Sequence, residues 1–315
     1  MKYDNRFIYK NNCVKKHRYK ILLKYWIHFV LCIIILLYIS HIENKIVLHM
    51  VTVNIKKQGI DYDAFRQMKV NEKYVRMTKE QLTKEKLLTK ETKKTATSKR
   101  KKYDAFDYFT IRMMLSDYDM SDYKRISKRN LNKLLDDFYN NESFIELKGY
   151  YSSILQDVIY FPIPYKADGS TYVTYIDSWN AYRSYGGNRR HEGADLMPDE
   201  NVSGVYPIRS ITRGTVEKKG WLEQGGYRIG IRGTSGGYYY YAHLDSYVEG
   251  LDIGDSVEAG QILGYMGDSG YGEEGTRGKF LVHLHLGIYV DSSFGETSIN
   301  PYWILKYLEK NNKIQ

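Results

Sequence analysis

Four histidines in the second half of the chain carry the chemical signal: His191, His243, His283 and His285. Two of them sit one residue apart in "VHLHLGIYV", Val282 to Val290. In a strand, side chains i and i+2 leave on the same face, roughly 6.6 Å apart along the chain, which suits one metal site with a neighbouring base. "RRHEGADLM" sets His191 and Asp195 four apart, on one face of either a strand or a helix, and Gly193 between them favours an extended or turn conformation. "YYYYAHLDS" carries His243 at the end of an alternating strand, where alternation gives it the face of Tyr239 and Tyr241 and turns Tyr238 and Tyr240 away. A hydrolytic zinc needs three protein ligands and an open position for water, whose pKa it lowers to about 7. These imidazoles and the carboxylate together exceed three ligands, and the surplus suits acid–base work. One histidine in an apolar strand is ordinarily a hydrogen-bonded core residue, but the set as a whole argues for a site.

The elements that must position these groups follow from composition. From "YFPIPYKADGS", Tyr160 to Ser170, glycine-punctuated runs such as "VTYIDSW", "GYRIGIRG", "YYYYAHL" and "KFLVHLHLGIYV" read as short strands joined by tight turns. They predict a mainly β, antiparallel domain, with a helical period returning only at "PYWILKYLEK", Pro301 to Lys310. Upstream, Leu131, Leu134, Leu135 and Phe138 form the stripe of an amphipathic helix in a small helical stalk. "KEQLTKEKLLTKETKKTATSKRKK", Lys79 to Lys102, is rich in Lys, Thr and Glu, the composition of a marginal helix or a solvated tether able to attract anionic polymers or lipid headgroups.

Net charge is +10 over 315 residues, unevenly spread: the first 102 residues hold 25 Lys+Arg against 8 Asp+Glu, and the remainder 22 against 29. The basicity belongs to the N-terminal third, so a nucleic-acid partner is not expected for the whole chain. That third contains "YWIHFVLCIIILLYI", Tyr25 to Ile39, behind a long basic flank from Lys2 to Lys24. The run is short of the usual span of about 20 residues, and the flanking Ser40 to Ile42 extend it. A retained signal-anchor with its basic flank in the cytoplasm is expected, because "SHIENK" lacks a small-x-small cleavage pattern. No cysteine follows Cys32, which excludes disulfides, thiolate ligands and a cysteine nucleophile from the region beyond the apolar run.

With H-x-x-x-D at His191 and Asp195, a histidine in an A-H-L context at His243, and H-x-H at His283 and His285, the sequence resembles the lysostaphin-type (LytM-like) zinc endopeptidases of bacterial cell walls. The resemblance runs from about Tyr160 to Tyr307 and includes "GDSVEAGQILGYMGDSG" and "INPYWIL". It implies the duplicated hybrid motif fold, with Zn2+ held by His191, Asp195 and His285, and His243 and His283 as the catalytic pair. Tyr185, six residues before His191, stands where some relatives place an oxyanion-donating tyrosine. Arg190 and Val282 depart from the glycine and proline usual before the two motifs, which implies a change in groove shape and not the loss of a ligand.

The organisation expected is a basic cytoplasmic tail over 1–24, a transmembrane signal-anchor over 25–42, a basic tether over 43–102, a helical stalk over 103–150 and a zinc peptidase domain over 151–315. The resemblance implies peptidoglycan peptides as substrates, cut outside a cell membrane that the chain crosses once, with anionic wall polymers as further partners. The alternative is a non-hydrolytic wall-binding or amidase-activating scaffold of the same fold, with a developmental role. A biotinyl or lipoyl carrier is excluded, because no lysine lies between Gly254 and Gly278.

Overall fold

The structure is a computed structural model that describes residues 22–39, 59–92, 103–122, 127–184 and 187–312. The chain divides into two compact units, residues 1–57 and 58–315. In the first, helix α1 spans Leu22–Ile39 and exposes nearly all of its apolar side chains. At 1.5 Å per residue it is about 27 Å long, close to the thickness of a bilayer core. It is long and apolar enough to cross a membrane, a test that a signal sequence near an N-terminus also passes. Ser40 to Ile42, expected to extend the span, lie outside the described residues, as does nearly all of the basic tail.

The second unit begins with helices α2 (Tyr62–Gln67), α3 (Glu72–Thr92), α4 (Ala105–Leu115), α5 (Lys128–Phe138) and α6 (Glu142–Leu155). Twelve strands follow, beginning with β1 (Val173–Thr174), β2 (Tyr182–Arg183), β3 (Arg189–Arg190), β4 (Ala194–Pro198), β5 (Pro207–Arg209) and β6 (Gly214–Leu222). The others are β7 (Gly226–Gly233), β8 (Tyr238–Tyr247), β9 (Ser256–Val257), β10 (Ile262–Met266), β11 (Leu284–Ser292) and β12 (Gly295–Ile299), and helix α7 (Tyr302–Asn312) closes the unit. The main sheet runs β1-β4-β11-β8-β7-β6-β9, with β10 on the second half of β8, β5 on β10 and β12 on β11. All of these pairs are antiparallel, as the alternating glycine-bounded runs predict. The predicted mainly β fold, with helices before it and one after, is therefore the observed one.

One sheet face is core. Tyr239 and Tyr241 of β8 and Ile229 and Ile231 of β7 are fully buried. Both phenols find backbone partners: Tyr239 Oη donates to Ile154 O (2.7 Å), and Tyr241 Oη accepts from Ile211 N (2.9 Å). Such pairing removes the cost of burying a hydroxyl. At the tight β7–β8 connection, where Gly236 takes φ +100°, the Ser235 N–H and hydroxyl donate to the Asp157 carboxylate at 2.5 and 2.9 Å.

The segments read as a basic tether and a helical stalk are helical where they are described, and they carry a packed core of their own. Phe65, Val75, Phe109 and Tyr151 are buried, and Tyr151 stacks edge-on against Phe65 and Phe109 with centroids 5.3 and 5.0 Å apart. α6 lies against β11, and α2 is tied to β12 by Arg66 Nε donating to Ser298 O (3.0 Å). The Lys-rich α3 docks too: Lys79 Nζ donates to Leu155 O, Gln156 O and Val158 O at 2.8–3.0 Å, satisfying carbonyls at the end of α6. Residues 59–92 and 103–155 thus belong to the same packed body as the sheet, because their apolar stripes exceed what a solvated spacer would carry. Residues 93–102, with most of the lysine cluster, lie outside the described residues.

Candidate metal centre and cleft

Strand register builds the site. His285 of β11 stands directly opposite Asp195 of β4 on one side and Ala242 of β8 on the other, and cross-strand partners share a face. His191 enters from the turn between β3 and β4. Its N–H bonds to Ala181 O and its O accepts from Asn180 N, which fixes the backbone at the entry to the turn. His191 Nε2, Asp195 Oδ1 and His285 Nδ1 then converge with mutual distances of 3.0, 3.0 and 3.1 Å. Two imidazole lone pairs and a carboxylate oxygen so close repel one another unless a proton or cation lies among them. Ligands about 2.0–2.1 Å from a tetrahedral zinc stand about 3.3 Å apart, so the triangle fits that ion.

The surroundings orient the donors. His191 Nδ1–H donates to Ser178 O (2.9 Å), which leaves Nε2 as the lone pair. Asp195 turns its second oxygen to Arg183 Nη2 at 2.5 Å. Burial works against the Asp195 charge, but His191 and His285 outweigh it and hold the carboxyl well below the usual range. Burial lowers His285, so it rests as the neutral imidazole that a ligand must be. Gly193 is the residue that makes room: a Cβ there would lie 2.6 Å from His285 Cε1, His285 Nε2 and Leu286 O.

His243 and His283 border the triad without joining it. His283 Nε2 is 3.7 Å from Asp195 Oδ1, its Nδ1–H donates to Leu281 O (2.7 Å), and its backbone pairs with Gly267. His243 Nδ1–H donates to Ser269 O (2.8 Å), and the two rings lie 4.7 Å apart between centroids. Burial depresses both, His243 most. Each therefore presents an unprotonated Nε2.

Strict alternation fails at His243, which does not share the face of Tyr239 and Tyr241. Between Tyr227↔Leu244 and Ile229↔Tyr241 strand β8 advances three residues against two on β7, a bulge, and His243 takes φ +63°. The left-handed residue swings its ring into the cleft, where Tyr238 and Tyr240, expected to point away, also lie.

The cleft is about 1000 Å³. His191, Asp195, His243, His283 and His285 all line it. Tyr185 lies outside the described residues, although its neighbour Ser184 is on the cleft wall. Tyr240 is the phenol beside the triad, its ring 6.0 Å from that of His285, and burial pushes it up to about 12, so it is a hydroxyl donor at neutral pH. Arg183, Arg228 and the aromatic pair Tyr271 and Phe280 also line the site, and sequence reasoning had not singled them out.

Residues 189–301, which contain all five groups, match the family model described as Peptidase family M23. Over 150 residues the chain is 43% identical to the L-Ala--D-Glu endopeptidase of Bacillus subtilis, covering 48% of this chain and 44% of that protein. It is 33% identical over 118 residues to lysostaphin of Staphylococcus simulans, covering 37% and 21%, and 32% identical over 123 residues to the glycyl-glycine endopeptidase ALE-1 of Staphylococcus capitis, covering 38% and 30%. The matches thus span less than half the length of these relatives. Among solved structures, a candidate glycyl-glycine endopeptidase lytM from Ruminococcus gnavus aligns with a TM-score of 0.64 at 39% identity, over 82% of this chain and 96% of that one. An alignment of that extent takes in helices as well as sheet, in keeping with the single packed body.

Proposed function

The chain belongs to peptidase family M23, and from that premise we propose that it is a zinc metalloendopeptidase hydrolysing peptide bonds in peptidoglycan stems or cross-bridges. The observation that carries this reading is the triangle of His191 Nε2, Asp195 Oδ1 and His285 Nδ1 beside two imidazoles with unprotonated Nε2 atoms. Zinc, when held by the triad, supplies a Lewis acid that lowers the pKa of water to about 7 and polarises a carbonyl. His283, the closer of the two to Asp195, takes the proton of the attacking water and returns it to the leaving amine. His243, pinned by Ser269 O, accepts a hydrogen bond from the same water and keeps its attack aligned. Arg183 holds the Asp195 carboxylate so that one oxygen stays turned to the triad. A non-hydrolytic scaffold would need neither the converging donors nor the free imidazole nitrogens.

The catalytic unit proposed is residues 58–315, the sheet with its helical layer. Helix α1 is proposed as a retained single-pass anchor, with the basic N-terminal flank inside and the catalytic unit outside. The deciding experiment is mass spectrometry of muropeptides after digestion of purified peptidoglycan by the full chain in detergent. New amino termini within stems or bridges are expected. Release of whole stems with cross-links uncut would make the protein an amidase, and an unchanged profile would leave only the scaffold.

A further inference from the structure

Arg228 lies on the cleft side of β7, opposite the bulge that carries His243. Its Nε and Nη1 are shielded from solvent and, among the described residues, meet no hydrogen-bond acceptor. The other cations on the cleft wall have partners: Arg183 holds Asp195, Arg189 bonds Tyr271, Arg190 reaches Asn180 O and Lys218 faces Glu296. Arg228 is only partly exposed, and a guanidinium with two shielded nitrogens that meet no acceptor among the described residues is costly; a ligand carboxylate entering from the cleft would offset that cost by a charge-assisted bond where the side chain meets the cleft.

Its place in the sheet says where that carboxylate would be. β7 is two strands from β11, about 10 Å across β8 at ordinary strand spacing. An extended peptide advances about 3.3–3.6 Å per residue, and the arginine side chain spans part of the gap. A group bound by Arg228 thus sits within about two residues of the bond held at the triad. A glutamyl residue joined to its neighbour through one carboxyl keeps the other ionised, whereas a glycine bridge offers no carboxylate at all.

We propose that Arg228 is a specificity residue that receives a free carboxylate on a residue flanking the scissile bond, so that the cleft takes stem-peptide bonds at an acidic residue in preference to glycine bridges. The inference rests on the peptidase reading for the cut itself and on the partly shielded, unpartnered guanidinium for the choice of bond. It accords with the name of the relative that cuts between L-Ala and D-Glu, and it is independent of that name.

The test uses the full chain in detergent with three probes: an L-Ala–D-Glu peptide with its side carboxyl free, the same peptide with that carboxyl amidated, and pentaglycine. Zinc-loaded wild type should cut the acid with a kcat/KM about 10- to 100-fold above the amide, mostly through KM, the range of a hydrogen-bonded charge. Arg228→Gln should lose that preference by slowing the acid alone, with zinc content and melting temperature unchanged, and Arg228→Lys should restore part of it. Metal-free wild type should bind the acid more tightly than the amide by a similar factor, and Arg228→Gln should not. Equal treatment of acid and amide by wild type, or an equal loss on both in Arg228→Gln, would overturn the proposal. If wild type cuts none of the three yet still binds the acid preferentially, the peptidase reading falls and the carboxylate site stands; with neither cutting nor preference, both fall.

Discussion

Gly193→Ala tests the metal centre through the one atom it adds. The new Cβ would stand 2.6 Å from His285 Cε1 and Nε2 and from Leu286 O, where ordinary contact begins near 3.4 Å. Something must therefore move by about 0.8 Å, and one of the three obstacles is backbone in the paired strand β11. The imidazole is the freer element, but zinc–nitrogen bonds tolerate only about 0.2 Å. A ring displaced four times that far no longer completes the triad. The expected cost is about 1–3 kcal/mol of folding stability from overpacking and a fall in zinc affinity of at least about 100-fold. Competition with a chromophoric chelator measures the affinity, and thermal melting of the metal-free protein measures the stability. A variant that folds and binds zinc like wild type would refute the reasoning, because it would mean that His285 is not held against Gly193 when the metal is bound.

The other expectations can be read on the same preparations. His283→Ala and His243→Ala should keep zinc while peptide hydrolysis falls about 100-fold or more, the scale of general acid and base contributions; a near-wild-type rate would return that histidine to a packing role. Arg183→Met should free the Asp195 carboxylate to rotate and weaken zinc binding about 10- to 100-fold, and an unchanged affinity would show that the 2.5 Å contact does not position the ligand. Lys79→Met leaves three carbonyls without their donor and should cost about 1–3 kcal/mol near pH 7. Burial lowers Lys79 to about 8, below the roughly 10.4 of an unfolded lysine, so between pH 8 and 10 the unfolded chain holds more protons and this residue's contribution to stability grows as pH rises. The gap in denaturation midpoint between wild type and Lys79→Met should therefore widen over that window; a constant or shrinking gap would remove the buried charge from the account. Protease added to protoplasts should digest the catalytic unit and spare an N-terminal tag, and protection of the unit would reverse the proposed orientation.

What the sequence made legible was chemistry at short range. His283 and His285 at i and i+2, and His191 and Asp195 at i and i+4, are set by local spacing that β11 and the β3–β4 turn preserve. Arg183 and Arg228 were not legible, because their roles arise only when β2 approaches β4 and β7 lines up beside β8. Each is one arginine among many until distant strands pair. The docking of α3 was not legible for a related reason. Lys79 to Lys102 has the composition of a solvated spacer, but the buried contacts of α3 come from Tyr74, Val75 and Thr78, just before it, and from a lysine whose ammonium caps another helix.

His243 shows why alternation alone could not place the fifth group, and what keeps it where it is. A non-glycine residue at φ +63° persists only if its surroundings overdetermine it. Here the His243 N–H bonds Gly225 O (2.8 Å) and its ring bonds Ser269 O, while the Ser269 hydroxyl accepts from Tyr227 N (3.0 Å) and donates to Leu244 O (2.6 Å). Ser269 thus clamps both strands at the bulge, and Gly226 leaves it space, since a Cβ there would fall 2.2 Å from Ser269 O. On the opposite face, Tyr239 is held by Ile154 O and Tyr241 by Ile211 N, so the first half of β8 cannot follow the bulge into a new register. A slip of one residue would carry both tyrosines into the cleft and the site-facing Tyr240 into the core. The helical layer therefore bears on the cleft from a distance: the carbonyl at the end of α6 fixes the half of β8 against which the histidine is displaced.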